Sequence, residues 1–187
     1  MNCGHPIKVA LTGVPGTGKT SIANLLQRRG YEVIHLNNYI EKEKIKYTID
    51  ERRHCKVIDI EELRRKIKRL KIAKTTVFEG HLAHLLPVDK IVILRCKPSV
   101  LIYRLLKKGY PKEKIRENVE AELLNIIGIE ARNLCSDVYE VDTTNKDIIN
   151  ATNEVIKIIE GEKPVKRYDW LTLNEVKKLQ KSFQINL

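Results

Sequence analysis

Along this chain, short continuous apolar runs alternate with stretches whose apolar residues recur every three or four positions, the pattern of buried strands interleaved with amphipathic helices. Ile7-Lys8-Val9-Ala10-Leu11 reads as a buried strand, and Ile22, Leu25 and Leu26 place a helix between Ser21 and Arg29 that Gly30 stops. Glu32 to Leu36 alternates as a second strand, which Asn37-Asn38 is expected to break. The segment from there through Cys55 is poor in apolar residues and reads as an irregular arm. Ile60, Leu63, Ile67 and Leu70 then share one helical face behind an Asp59 cap. Thr75-Thr76-Val77-Phe78 is a buried strand ending on Glu79-Gly80-His81, and Lys90 to Arg95 has the continuous apolar character of a central parallel strand. Pro98 opens a helix through Leu101, Leu105 and Leu106 to Gly109. Another helix starts at Pro111 and carries Ile115, Val119, Leu123, Ile126 and Ile127 as one stripe. A last strand spans Asp137 to Val141, and a last core helix holds Ile148, Val155, Ile158 and Ile159 before Gly161.

Five strands alternating with helices predict an α/β fold, a three-layer sandwich around a five-stranded parallel sheet. The chain has 187 residues, enough for one core domain, expected over residues 1–161, and an appendage over 162–187. The appendage begins with the basic linker Lys163-Pro164-Val165-Lys166-Arg167. Thr172-Leu173-Asn174-Glu175 then has the form of a capping box ahead of a short helix with Val176 and Leu179. Trp170 and Leu171 are expected to dock this extension on the core or on a partner.

Charge changes the picture in one region. The net charge is +11, and the segment from Glu41 to Lys74 holds thirteen basic against seven acidic residues. Such a balance favours phosphates, RNA or an acidic protein face. Cys3, Cys55, Cys96 and Cys135 are widely spaced, which argues against a zinc site or disulfide framework and for a reducing cytoplasm. No apolar run reaches membrane-spanning length, so no membrane contact is expected.

The candidate chemistry starts at Gly13-Val14-Pro15-Gly16-Thr17-Gly18-Lys19-Thr20, which fits G-x-x-x-x-G-K-[ST] at every fixed position and lies between a strand and a helix. Glycines let backbone N–H groups close round a phosphate chain, the lysine reaches the β- and γ-phosphates, and the threonine hydroxyl coordinates Mg²⁺. The helix N-terminus behind the loop adds its own attraction for an anion. Glu79, at the end of a buried strand, is where P-loop enzymes place a carboxylate that holds the metal or its waters. His81 is a candidate for orienting an attacking water or contacting phosphate. His81 and His84 do not make a metal pair, because no further ligands accompany them. Arg104, Lys107, Lys108, Lys112, Lys114 and Arg116 form a cationic corner of the kind that closes over transferring phosphates. Asp142 to Asn145 can hold a base, but Ile148 stands where a guanine-reading N-K-x-D element needs aspartate.

These elements together resemble the nucleoside monophosphate kinases. More narrowly, the chain is similar to the adenylate-kinase-like NTPases of archaeal and eukaryotic small-subunit ribosome assembly, the isoenzyme-six type. The loop from Gly13 to Ser21, Glu79-Gly80-His81, the Lys108-Gly109-Tyr110 turn and Glu117 to Glu122 carry the resemblance, which spans roughly residues 7 to 160 and leaves the tail uncovered. It implies ATP binding with Mg²⁺, ATP hydrolysis, and phosphoryl transfer to AMP with broad nucleotide tolerance. It also implies pairing with the small-subunit platform ribosomal protein numbered eleven in universal naming, near pre-ribosomal RNA. Gly16, Gly18, Lys19, Thr20 and Ser21 would hold the triphosphate, with Arg104 and Lys108 on the same side. Lys19, Glu79, His81 and Lys108 would be catalytic, and Thr20 and, through water, Glu79 would serve the metal. The monophosphate arm would run over about 35–59 and a short lid over about 107–117. The family often has Asp where Glu79 stands and Arg where Lys108 stands, and Lys lacks the bidentate fork of Arg. An ATP-driven assembly clamp and a small-metabolite kinase remain open alternatives at this point.

Overall fold

The computed structural model describes residues 5–51 and 55–183; residues 52–54 of the expected arm and the last four of the extension lie outside them. The elements follow as β1 (Lys8–Thr12), α1 (Lys19–Arg28), β2 (Glu32–His35), α2 (Leu36–Lys42), β3 (Tyr47–Asp50), β4 (Cys55–Ile58), α3 (Ile60–Arg69), β5 (Thr76–Glu79), β6 (Lys90–Arg95), α4 (Pro98–Lys107), α5 (Lys112–Leu123), α6 (Ile126–Leu134), β7 (Val138–Asp142), α7 (Ile148–Ile159) and α8 (Leu173–Phe183). Five strands form a parallel sheet in the order β2-β5-β1-β6-β7. The chain therefore leaves β1 in both directions, and the crevice at the carboxyl ends beside β1 is where open α/β sheets bind ligands.

Alternation along the strands explains the three layers. Val9 and Leu11 of β1, with Val92 and Leu94 of β6, pack beneath Ile22 and Leu26 of α1 and Val155 and Ile158 of α7. Ala10, Ile91 and Ile93 point the other way, into a second core with Leu36, Leu63, Ile67 and Ala131. A period of two thus serves both faces at once, and the strands read as continuous apolar runs.

Three local expectations are corrected. Asn37-Asn38 does not break the chain into a loop but lies in the first turn of α2, where Leu36 and Ile40 supply the buried anchors. The arm is not irregular throughout, since β3 and β4 pair as an antiparallel two-stranded sheet. The stripe from Ile115 to Ile127 belongs to two helices, because Asn125 takes a left-handed conformation with φ 53° and turns the chain between α5 and α6. The side chain of Asn125 then fills the space a Cβ on Gly128 would need.

The C-terminal stretch is tied to the core through Arg95, a guanidinium only 1% exposed. Its Nε donates to Glu122 Oε1 at 2.7 Å, Nη1 to Glu140 Oε2 at 2.9 Å and to the Tyr168 carbonyl at 3.1 Å, and Nη2 to the Glu122 carbonyl at 3.1 Å. Tyr168 N–H returns a bond to Glu140 Oε2, and Trp170 Nε1 donates to Glu122 Oε1. Burial pushes the Glu122 carboxyl above its ordinary range, and Arg95 pulls it back. Glu175, 2% exposed, accepts the Ser99 N–H at 2.6 Å near the start of α4, while Thr172 Oγ1 caps Glu175 N–H. Only half of the expected capping box forms, because the Glu175 carboxylate serves α4 rather than its own helix. Leu179 completes the burial against Leu101, Leu105 and Val119.

Removing one member of such a network strands the others in low dielectric. Arg95→Leu is therefore expected to cost about 3–5 kcal/mol in urea unfolding, with a loss below about 1 kcal/mol showing that the network contributes little.

Candidate active site

The loop after β1 is shaped by glycines with positive φ: 139° at Gly13, 90° at Gly16 and 98° at Gly18. Sterics reinforce the requirement at two of them. A Cβ on Gly13 would lie 2.5 Å from the Leu94 carbonyl oxygen, and one on Gly16 would lie 2.9 Å from Leu101 Cδ1. The loop is thus pressed against β6 and α4 from behind. Thr17 is buried and donates to the Val14 carbonyl at 2.9 Å, and the Thr17 carbonyl accepts from Thr143 Oγ1 at 3.0 Å. Lys19, at the start of α1, donates from Nζ to the Gly13 and Val14 carbonyls at 2.8 and 3.0 Å. Burial of the ammonium lowers its pKa to about 8; Glu79 opposes the shift and Lys108 adds to it. At neutral pH the group is a desolvated cation held over the loop.

Glu79 ends β5, where parallel pairing puts it beside Leu11 of β1 and His35 of β2. It is 8% exposed. Thr20 Oγ1 donates to its Oε1 at 3.2 Å, and His35 Nδ1 donates to its Oε2 at 2.8 Å. A hydroxyl and a carboxylate side by side are hard oxygen donors, suited to Mg²⁺ and not to a soft metal. With its hydrogen committed to Glu79, Thr20 Oγ1 keeps lone pairs for a cation.

Two clefts neighbour this seam, one lined by residues of the phosphate loop and one by His81. The smaller, of about 320 Å³, is lined by Gly16, Gly18, Ser21, Arg104, Lys108, Thr143, Lys146 and Ala151, among others. Arg104 is fixed there, donating from Nη2 to the Thr143 and Thr144 carbonyls at 2.6 and 3.0 Å. Residues 107–117, expected as a lid, form the end of α4, a turn bearing Lys108 and Gly109, and the first half of α5. The larger cleft, of about 1120 Å³, is lined by Asn37, Ile40, Lys44, Tyr47, Val57 and His81, among others. His81 is solvent-facing at the cleft wall, yet desolvation lowers its pKa, followed by the positive charge of Lys19 and by His84. A neutral imidazole at neutral pH results. His84 points elsewhere: it is buried, bonded to Thr12 Oγ1 at 3.3 Å and to Glu130 Oε2 at 2.9 Å. Among the described residues no cluster of three or more metal-ligating side chains is formed by His, Cys, Asp and Glu.

The structure therefore brings Gly16, Gly18, Ser21, Arg104 and Lys108 to one cleft, Lys19, Thr20 and Glu79 to the seam, and His81 to the other cleft. His35 was not singled out from the sequence. The sequence carries that strand on to Leu36, so the place of His35 at a strand end beside Glu79 shows only once the two strands are known to be neighbours.

Fold and loop define a P-loop NTPase with the architecture of small kinases. A family model described as an AAA domain matches residues 9–125. A protein of Methanocaldococcus jannaschii named "Putative adenylate kinase" is 38% identical over 177 residues, covering 89% of this chain and 98% of the relative. One of the same name from Archaeoglobus fulgidus is 42% identical over 170 residues, covering 88% and 92%. Among solved structures, shikimate kinase from Acinetobacter baumannii superposes with a TM-score of 0.58 at 17% identity, covering 87% of this chain and 97% of that one. Deoxyadenosine kinase from M. mycoides gives 0.52 at 17%, covering 82% and 98%. These two likenesses show the fold alone. The chain belongs to the AAA-domain family of the matching model and is an adenylate-kinase-like NTPase. No helix among the described residues is long and apolar enough to cross a membrane.

Gly13→Ala offers a direct check of the loop's confinement. It is expected to lose about 2–4 kcal/mol of stability by thermal unfolding, because a backbone carbonyl cannot step aside. Gly30→Ala, at φ 92° with nothing within 4 Å, is expected to lose only about 1–2 kcal/mol.

Proposed function

We propose that this protein is a broad-specificity adenylate kinase with ATPase activity, converting ATP and AMP to two ADP and acting in small ribosomal subunit maturation. The observation that carries the kinase reading is the pairing of Lys19, Thr20 and Glu79 with two clefts, one lined by the phosphate-loop residues Gly16, Gly18 and Ser21 and a larger one lined by the arm and by His81, two residues past Glu79. The smaller cleft would take ATP, with its β- and γ-phosphates on the loop amides and Lys19. The larger would take AMP, with its phosphate toward His81.

Thr20 Oγ1 directly and Glu79 through water would hold Mg²⁺, which when bound neutralises charge on the β- and γ-phosphate oxygens. Lys19 stabilises charge on the transferring group, and Lys108 adds a second cation from the turn after α4. In the transfer an AMP phosphate oxygen bonds to the γ-phosphorus as the bond to the β,γ-bridging oxygen breaks, leaving ADP on each side. Where water stands in for AMP, neutral His81 accepts a hydrogen bond from it and orients it for the same displacement. The basic segment from Glu41 to Lys74 favours the assembly setting, in which a ribosomal protein at the arm, next to RNA, gates this hydrolysis.

ATP turnover measured alone, with AMP, and with the platform ribosomal protein tests the proposal. Stimulation by AMP is expected, and AMP indifference would contradict kinase action; acceleration by the ribosomal protein is expected of the assembly role, and its absence would contradict that role. Lys19→Ala is expected to lower turnover by about 100-fold or more, since it removes the main cation over the transferring group. His81→Ala is expected to slow hydrolysis about tenfold or more while ATP affinity holds; equal losses in both would make His81 structural.

A further inference from the structure

His35 ties the acceptor side of the seam to its metal side. It is the last residue of β2 and the N-cap of α2, whose next residues include Asn37 on the wall of the larger cleft. Leu36, immediately after it, is 1% exposed and packs where a Cβ on Gly80 would come within 3.1 Å. Leu36 thus packs against Gly80, just past Glu79, and the parallel register sets His35 beside Glu79 itself. From that fixed point the His35 ring reaches Glu79 Oε2 at 2.8 Å, with His35 and Glu79 side chains 24% and 10% exposed. Thr20 holds the other oxygen of the same carboxylate.

The two bonds divide the work. Thr20 marks where the carboxylate must aim, and His35 prevents it from turning away. Without His35, Glu79 would still feel the attraction of the desolvated ammonium of Lys19, with which it already interacts electrostatically. A carboxylate that swung onto Lys19 would leave Thr20 and cancel the cation meant for phosphate.

We propose that His35 is a positioning residue that keeps Glu79 directed at Thr20 and so sets the affinity for the divalent cation that accompanies the nucleotide. This rests on the reading of Thr20 and Glu79 as the metal site. Outer hydrogen-bond partners of this kind govern metal affinity without touching the metal.

The test measures Mn²⁺ binding by electron paramagnetic resonance, with a non-hydrolysable ATP analogue bound and no acceptor present. His35→Ala is expected to weaken Mn²⁺ binding about tenfold, while affinity for the analogue in EDTA changes far less and the melting temperature confirms folding. His35→Asn is expected to restore binding, because its amide nitrogen is as many bonds from Cα as Nδ1. His35→Gln, one bond longer, is expected to resemble the alanine variant. Unchanged Mn²⁺ affinity in His35→Ala, or equal rescue by both amides, would overturn the inference. Glu79→Gln separates the two levels: if it weakens Mn²⁺ binding while His35→Ala does not, only the role of His35 fails. If Glu79→Gln has no effect, the metal-site reading fails and the inference with it.

Discussion

A glycine loop can offer its amides to an anion only if its backbone is held in conformations that other residues resist, and here the neighbouring structure imposes them. The Leu94 carbonyl and the Leu101 side chain stand where side-chain atoms on Gly13 and Gly16 would go. The loop is wedged against β6 and α4, so its shape is set before any ligand arrives. Preorganisation of this kind reduces the reorganisation required when charge develops. It also explains why α4 matters beyond its own packing: the helix that backs the loop carries Arg104 and is followed by Lys108 at its C-cap, and Glu175 of the C-terminal stretch bonds near its start.

The same strand ends that hold the loop divide the site in two. Parallel register brings Glu79 between β1 and β2, so one carboxylate is shared by the loop threonine and the histidine at the root of α2. Desolvation then separates the ionisable groups on either side. It weakens the proton affinity of Lys19 without discharging it at neutral pH, and it keeps His81 neutral. A charged group over the phosphate loop and an uncharged one at the larger cleft suit different tasks.

Much of this was legible in the sequence, for identifiable reasons. All five sheet strands were, because strands buried on both faces need unbroken apolar runs. Glu79 stood out because an acid at the end of such a strand has no packing role. The departures arose where tertiary contacts decide. Asn37-Asn38 favours a turn on local grounds, but buried Leu36 and Ile40 make it helix. The β3–β4 hairpin is short and its charged surroundings hide the pattern, so pairing is visible only across the two strands. Arg95 stood in the sequence only as the last residue of the Lys90 to Arg95 strand, whereas its partners come from residues 27, 45 and 73 positions away. His35 likewise acquires meaning only once β2 is known to lie beside β5.

Central to the proposed function is that the two clefts hold the donor and the acceptor of one transferring group. The most direct measurement follows the label from [γ-³²P]ATP incubated with Mg²⁺ and AMP. Label appearing in the β-position of ADP, at a rate that rises and saturates with AMP, is the predicted result. Label released only as inorganic phosphate at every AMP concentration would contradict it.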